Sequence, residues 1–208
     1  MNPKKIVPVV IALIGISAIF IYMSNTNVTS KQIDGNDFSY SDSTIIRNEL
    51  LSKDIFMSAP TKISDYTVKE YCMYFDQNNN QKIMNQCFTS AITDSTGDPL
   101  GNINMGGDAN DAQMALAILT TNDLKSRQEV ITSVFEILVK TLVCDCWNEQ
   151  HPGGFSSVES WIDAAKTYYV ESGQDSTKSK ISGLAGKQLI LEITKDNDSY
   201  LWTLILVK

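Results

Sequence analysis

Residues 187–208 read KQLILEITKDNDSYLWTLILVK. Two apolar runs flank Lys195-Asp196-Asn197-Asp198, a cluster of turn-forming residues, so the segment predicts two strands joined by a tight turn. In the second run Tyr200, Trp202, Leu204 and Leu206 share one face, and Leu201, Ile205 and Val207 share the other. A strand apolar on both faces belongs inside a sheet and is expected to be covered on both sides.

Working towards the N-terminus, Ser156 and Glu159 form a capping-box pattern ahead of Val158, Trp161, Ile162, Ala165 and Tyr169, which predicts a helix. Residues 122–144 carry Ile131, Val134, Phe135, Leu138 and Leu142 on one face, broadened by Val130, Ile137 and Val139, the pattern of a largely buried central helix. A second helix is expected over 109–119 from its alanines with Met114, Ile118 and Leu119, and the glycine-rich stretch before it, STGDPLGNINMGGD, is read as a connection. The runs YTVKEYCMYF and KIMNQCFTSAI, separated by DQNNNQ, predict a hairpin with Cys72 facing Cys87 across the ladder. Ser43 followed by Ile45, Ile46, Leu50, Leu51 and Ile55 predicts a short amphipathic helix. The fold class expected is α+β: antiparallel hairpins packed by three or four helices, in one domain over 43–208.

Before that domain, Ile6 to Met23 form an uncharged apolar run, IVPVVIALIGISAIFIYM, which at 1.5 Å per residue covers about 27 Å as a helix. Lys4 and Lys5 precede it and the next charge is Lys31, so residues 1–23 are expected to be a signal-anchor transmembrane helix with a cytoplasmic N-terminus and the domain outside the cytoplasm. The opening KKIVPVV resembles an archaeal pilin leader without the small residue at the cleavage point. A cleaved secretory signal is the competing reading, but the run is long for one and no A-x-A-type site follows it. Residues 24–42 are almost wholly polar and are expected to be a tether.

Beyond residue 23 the chain carries 15 basic and 24 acidic side chains, a formal charge of −9 once Lys4 and Lys5 are set apart. Arginine appears only at Arg47 and Arg127, and there is no basic cluster, so a nucleic-acid partner is excluded. The expected partners are the membrane, through Ile6 to Met23, and a protein of the membrane or envelope.

All four cysteines, Cys72, Cys87, Cys144 and Cys146, lie in the part expected outside the cytoplasm, where an even count favours disulfides. The expected pairs are Cys72 with Cys87 and Cys144 with Cys146, the second pair either bridged or left as thiols. Cys144, Cys146 and the sole histidine, His151, could also supply soft ligands to copper or zinc, although their spacing matches no standard zinc template. A thiol-redox role for Cys144-x-Cys146 is the related alternative. No cofactor is otherwise expected. Asp76, Asn78 and Asn80 fall at ligand places of a calcium loop, but Gln81 stands where glycine is needed and Cys87 where glutamate is needed. The sequons at Asn27 and Asn197 are open to glycosylation in a host with that machinery. There is no nucleophile elbow, phosphate loop or dinucleotide fingerprint. The function expected is therefore a membrane-anchored extracytoplasmic binding or accessory domain, with a subunit of an envelope complex as the form it would take; a metal or thiol-redox protein and a small hydrolase with unpaired carboxylates stand as alternatives.

Overall fold

The structure, a computed structural model, describes residues 39–75 and 80–208. The apolar run Ile6 to Met23 and the turn residues Asp76 and Asn78 lie outside the described residues. Among the described residues no helix is long and apolar enough to cross a membrane.

The fold is α+β. Helix α1 (Asp42–Leu51) leads to two short strands, β1 (Phe56–Met57) and β2 (Thr61–Lys62), then to a single helical turn, α2 (Val68–Tyr71), and the small hairpin β3 (Met73–Phe75) and β4 (Gln81–Ile83). Three long strands follow, β5 (Gln86–Thr93), β6 (Pro99–Gly107) and β7 (Ala112–Thr121). Helix α3 (Gln128–Leu142), the turn α4 (Trp147–Gln150) and helix α5 (Val158–Ser172) come next, and β8 (Ser176–Leu184), β9 (Lys187–Asp196) and β10 (Ser199–Val207) complete the order. The main sheet is antiparallel, in the order β1-β5-β6-β7-β10-β9-β8 with β2 also on β5. The last strand in the chain thus sits at the centre, hydrogen-bonded along its length to β7 and β9.

One face of this sheet carries the helices. Trp202, Leu204 and Leu206 of β10, Ile193, Leu191 and Leu189 of β9, and Leu119, Ala117 and Ala115 of β7 align across the strands and are buried there. Helix α3 packs over β7 and β10, α5 over β8 and β9, and α1 against α3. The broad apolar surface read on α3 is buried from Ile131 to Leu142. Trp161 and Trp202 are fully buried, and their indole N–H groups donate to Ser179 Oγ at 2.7 Å and Thr121 Oγ1 at 3.0 Å, so both rings are core residues with satisfied polar ends.

Among the described residues the opposite face is covered only at one end, where the expectation has β10 enclosed on both sides. Residues 63–75 and 80–84 pack there as a flap, with Val68, Cys72 and Met84 on Cys87, Met114, Leu116 and Val207. Leu201, Thr203 and Ile205, further along β10, stay half-exposed.

Several local readings are also corrected. Residues 112–121 form β7, a central strand, where a helix was expected; its residues are apolar on both faces, so the two-residue alternation that marks a strand is missing. The glycine-rich connection is β6. Strand β8, whose sequence STKSKISGL is polar and flanked by glycines, carries no apolar run to announce it. The expected hairpin is shorter and shifted: Met73 pairs with Ile83, and the run from Lys82 breaks at Met84 into β4 and β5. Cys72 therefore lies opposite Met84, whose N–H donates to its carbonyl at 3.1 Å, and not opposite Cys87 in the ladder. The capping box of α5 is built by Ser157 and Ser160, one residue beyond the predicted pair, each side chain accepting from the other's backbone N–H at 3.0 Å.

Candidate functional site

At the start of the described residues, Ser39 N–H donates to Asp42 Oδ2 at 2.7 Å, setting the first turn of α1. This turn lays Tyr40 against Phe88 of β5, edge to face with ring centroids 5.0 Å apart. The Tyr40 hydroxyl donates to the Asp108 carbonyl at 3.0 Å, and burial, with Asp108 and Asp111 nearby, raises the phenol above its ordinary pKa despite its contact with Gln86. It thus stays a donor at neutral pH. Beneath the ring is a cavity of about 240 Å³ lined by Tyr40, Ser43, Met57, Pro60, Phe88, Ser90, Ile103 and Met105. The space exists because β1 is only two residues long and because Ser43 and Ser90, both buried, are small where a leucine would fill it. The lining residues offer sulfur, aromatic and aliphatic surface with the hydroxyls of Tyr40, Ser43 and Ser90 and no charge, a setting for one compact apolar group.

A second concavity runs along α3, in two adjoining depressions that share Lys53 and Glu136. One, of about 470 Å³, is lined by Gln128, Glu129, Glu159 and Asp163 among others; the other, of about 330 Å³, reaches Lys140, Cys144, Asp145 and Trp147. Burial raises the pKa of Glu136, and the Glu159 carboxylate raises it further, against the opposing pull of Lys53. Lys166 spans Gln128 Oε1 at 3.0 Å and Asp163 Oδ1 at 2.7 Å. The groove is mixed in charge with an excess of carboxylates.

The four cysteines form two disulfides, Cys72–Cys87 and Cys144–Cys146, with Cα atoms 5.9 and 5.1 Å apart. The first joins the flap to β5 and is fully buried. It fits because the facing residue of β6 is Gly106, where an added Cβ would stand 2.8 Å from Cys72 Sγ and 2.7 Å from Met84 Cγ. The flap is held further by Asn104, fully buried, whose amide donates to the Tyr71 carbonyl at 3.0 Å while its oxygen accepts from Asn102 at 2.8 Å. The second disulfide lies in the turn between α3 and α4. His151, at the end of α4, is exposed in the left-handed region with φ 42°. Both sulfurs being bonded, neither is a thiolate ligand, and among the described residues no three His, Cys, Asp or Glu side chains converge as a metal-binding group.

The cavity under Tyr40 escaped the sequence because its walls come from four separate segments and its volume depends on two serines. The aromatic spacing of Tyr40 and Phe88 carries no motif. No family model matches the chain, and neither a curated protein nor a solved structure does so.

Proposed function

We propose that the chain is a membrane-anchored extracytoplasmic binding domain, held by Ile6 to Met23 and working as an accessory subunit of an envelope complex through the cavity beneath Tyr40. The single observation that carries this reading is the cavity itself: uncharged, apolar, and roofed by Tyr40. Its size suits one aromatic or branched aliphatic side chain, and the formal charge of −9 beyond residue 23 works against an anionic lipid surface as the occupant. The occupant is thus the apolar anchor of a protein partner, the kind of residue that dominates binding energy when it enters a preformed pocket.

A photo-reactive amino acid at Met57 in the full-length chain, activated in intact cells, is expected to cross-link one envelope protein. Filling the cavity with Ser90→Phe should abolish that cross-link while the circular dichroism of the domain stays unchanged. The same cross-link persisting in a folded Ser90→Phe protein would refute the assignment.

A further inference from the structure

The two disulfides differ in what they join and in what surrounds them. Cys72–Cys87 spans 15 positions, ties the flap to the sheet and is sealed beneath Met84 and Gly106. Cys144–Cys146 spans 2 positions and encloses only Asp145. It links no elements that the chain does not already join. The turn around it is held by backbone hydrogen bonds, with Cys144 N–H donating to the Val139 carbonyl at 3.1 Å and Gln150 N–H donating to the Cys146 carbonyl at 3.0 Å. Stabilisation by a cross-link grows with the length of the loop it closes, so a bond over a single intervening residue constrains the unfolded chain least.

Its surroundings also differ. Cys144, 7 % exposed, forms part of the wall of the open groove along α3, beside Lys140 and Trp147, with Cys146, 5 % exposed, in the same turn. Lys140 lines the same wall and reaches towards Asp145, the residue between the two cysteines, with Nζ 4.0 Å from Oδ2. A disulfide that contributes little to folding, closes a tight ring and borders an accessible concavity has the attributes of a reactive bond.

We propose that Cys144–Cys146 is a redox-active disulfide that oxidises a cysteine pair of a protein segment bound in the groove along α3. A thiolate of the partner attacks Cys144 Sγ; the Cys144–Cys146 bond breaks, its electron pair leaving on Cys146 as a thiolate, and a mixed disulfide forms between Cys144 and the partner. The partner's second thiolate then attacks its own bridged sulfur and expels the Cys144 thiolate. Two electrons pass from the partner, which ends as a disulfide, to Cys144 and Cys146, which end as a dithiol. The carboxylates of Glu136, Glu159 and Asp163 along the groove favour a partner segment carrying basic side chains. This activity is independent of the cavity under Tyr40.

The test uses the purified full-length chain in detergent, equilibrated with mixtures of reduced and oxidised glutathione, quenched with acid and mapped by differential alkylation. Cys144–Cys146 is expected to open and close reversibly with the glutathione ratio while Cys72–Cys87 stays oxidised and the near-ultraviolet circular dichroism is unchanged. With Cys146→Ser, oxidised glutathione should add to Cys144 roughly tenfold faster than it adds to Cys146 in Cys144→Ser, because Cys144 is the sulfur on the groove wall. A bond that resists a large excess of reduced glutathione in the folded protein, or that opens only together with Cys72–Cys87 on unfolding, would overturn the proposal. Loss of folding in the Cys144→Ser, Cys146→Ser double variant would do the same, since it would make the bond a structural staple.

Discussion

Trp202 is the largest group at the centre of the sheet, fully buried and bonded through its indole to Thr121 Oγ1. Trp202→Ala is expected to cost about 3–5 kcal/mol in urea unfolding, from lost burial, the cavity left behind and the unpaired threonine. Its place was legible in the sequence because it stands in an apolar run of strand length directly after a cluster of turn-forming residues. Gly106 was not legible. Within GNINMGG it reads as loop, yet it lies in β6 because a disulfide is pressed against it from the other side. Gly106→Ala should therefore destabilise by about 1–3 kcal/mol through overpacking, measurable in the same unfolding experiment, whereas a loop glycine would tolerate it. Gly101, with φ 148° and the Ile118 carbonyl where a Cβ would go, follows the same logic with less room to relax. A glycine that makes space for a neighbour and one that makes a turn look the same in sequence.

At the level of elements, helices α3 and α5 were legible from the period of their apolar residues, and strands β9 and β10 from two apolar runs of strand length on either side of a turn cluster. Strand β7 was misread because Ala115 and Ala117 face the helices while Met114 and Leu116 face the flap, and a strand buried on both sides has no period to detect. The Cys72–Cys87 pairing was anticipated from the symmetry of a hairpin that the structure does not contain; the bond instead joins the end of α2 to β5. It closes a separation of 15 residues, so Cys72→Ala with Cys87→Ala is expected to lower stability by about 3 kcal/mol and to expose Met84 and Val68 to protease or hydrogen exchange. The α3–α5 contact carries its own pH dependence. Glu136 has a folded pKa raised above its ordinary value of 4.5, so its contribution to stability is fully present below that value and is lost as the pH rises through the folded pKa. Glu136→Gln should thus stabilise the domain at neutral pH by on the order of 0.5 kcal/mol, and the gain should vanish in melts run below the ordinary value.

For the whole molecule, the proposed anchor predicts that the full-length chain stays in the membrane pellet after carbonate washing and that protease outside intact cells removes the domain. Replacing Lys4 and Lys5 with acids should scramble the orientation, as scored by the same protease assay, because no competing positive charge stands near the other end of the run. Recovery of a soluble form starting near Ser24 would favour cleavage instead. Strand β10 sets a further condition on how such a chain is made. It pairs with β7 on one side and β9 on the other, so until it emerges, β7 presents an open apolar edge and the two halves of the sheet remain separate pieces. Behind the proposed anchor, with the N-terminus kept in the cytoplasm, the domain would cross the membrane in chain order and could not assemble by degrees. It must keep β5, β6 and β7 from pairing with other chains until the final strand is delivered, which makes the interval between export of Thr121 and export of Ser199 the period when a holding chaperone matters most.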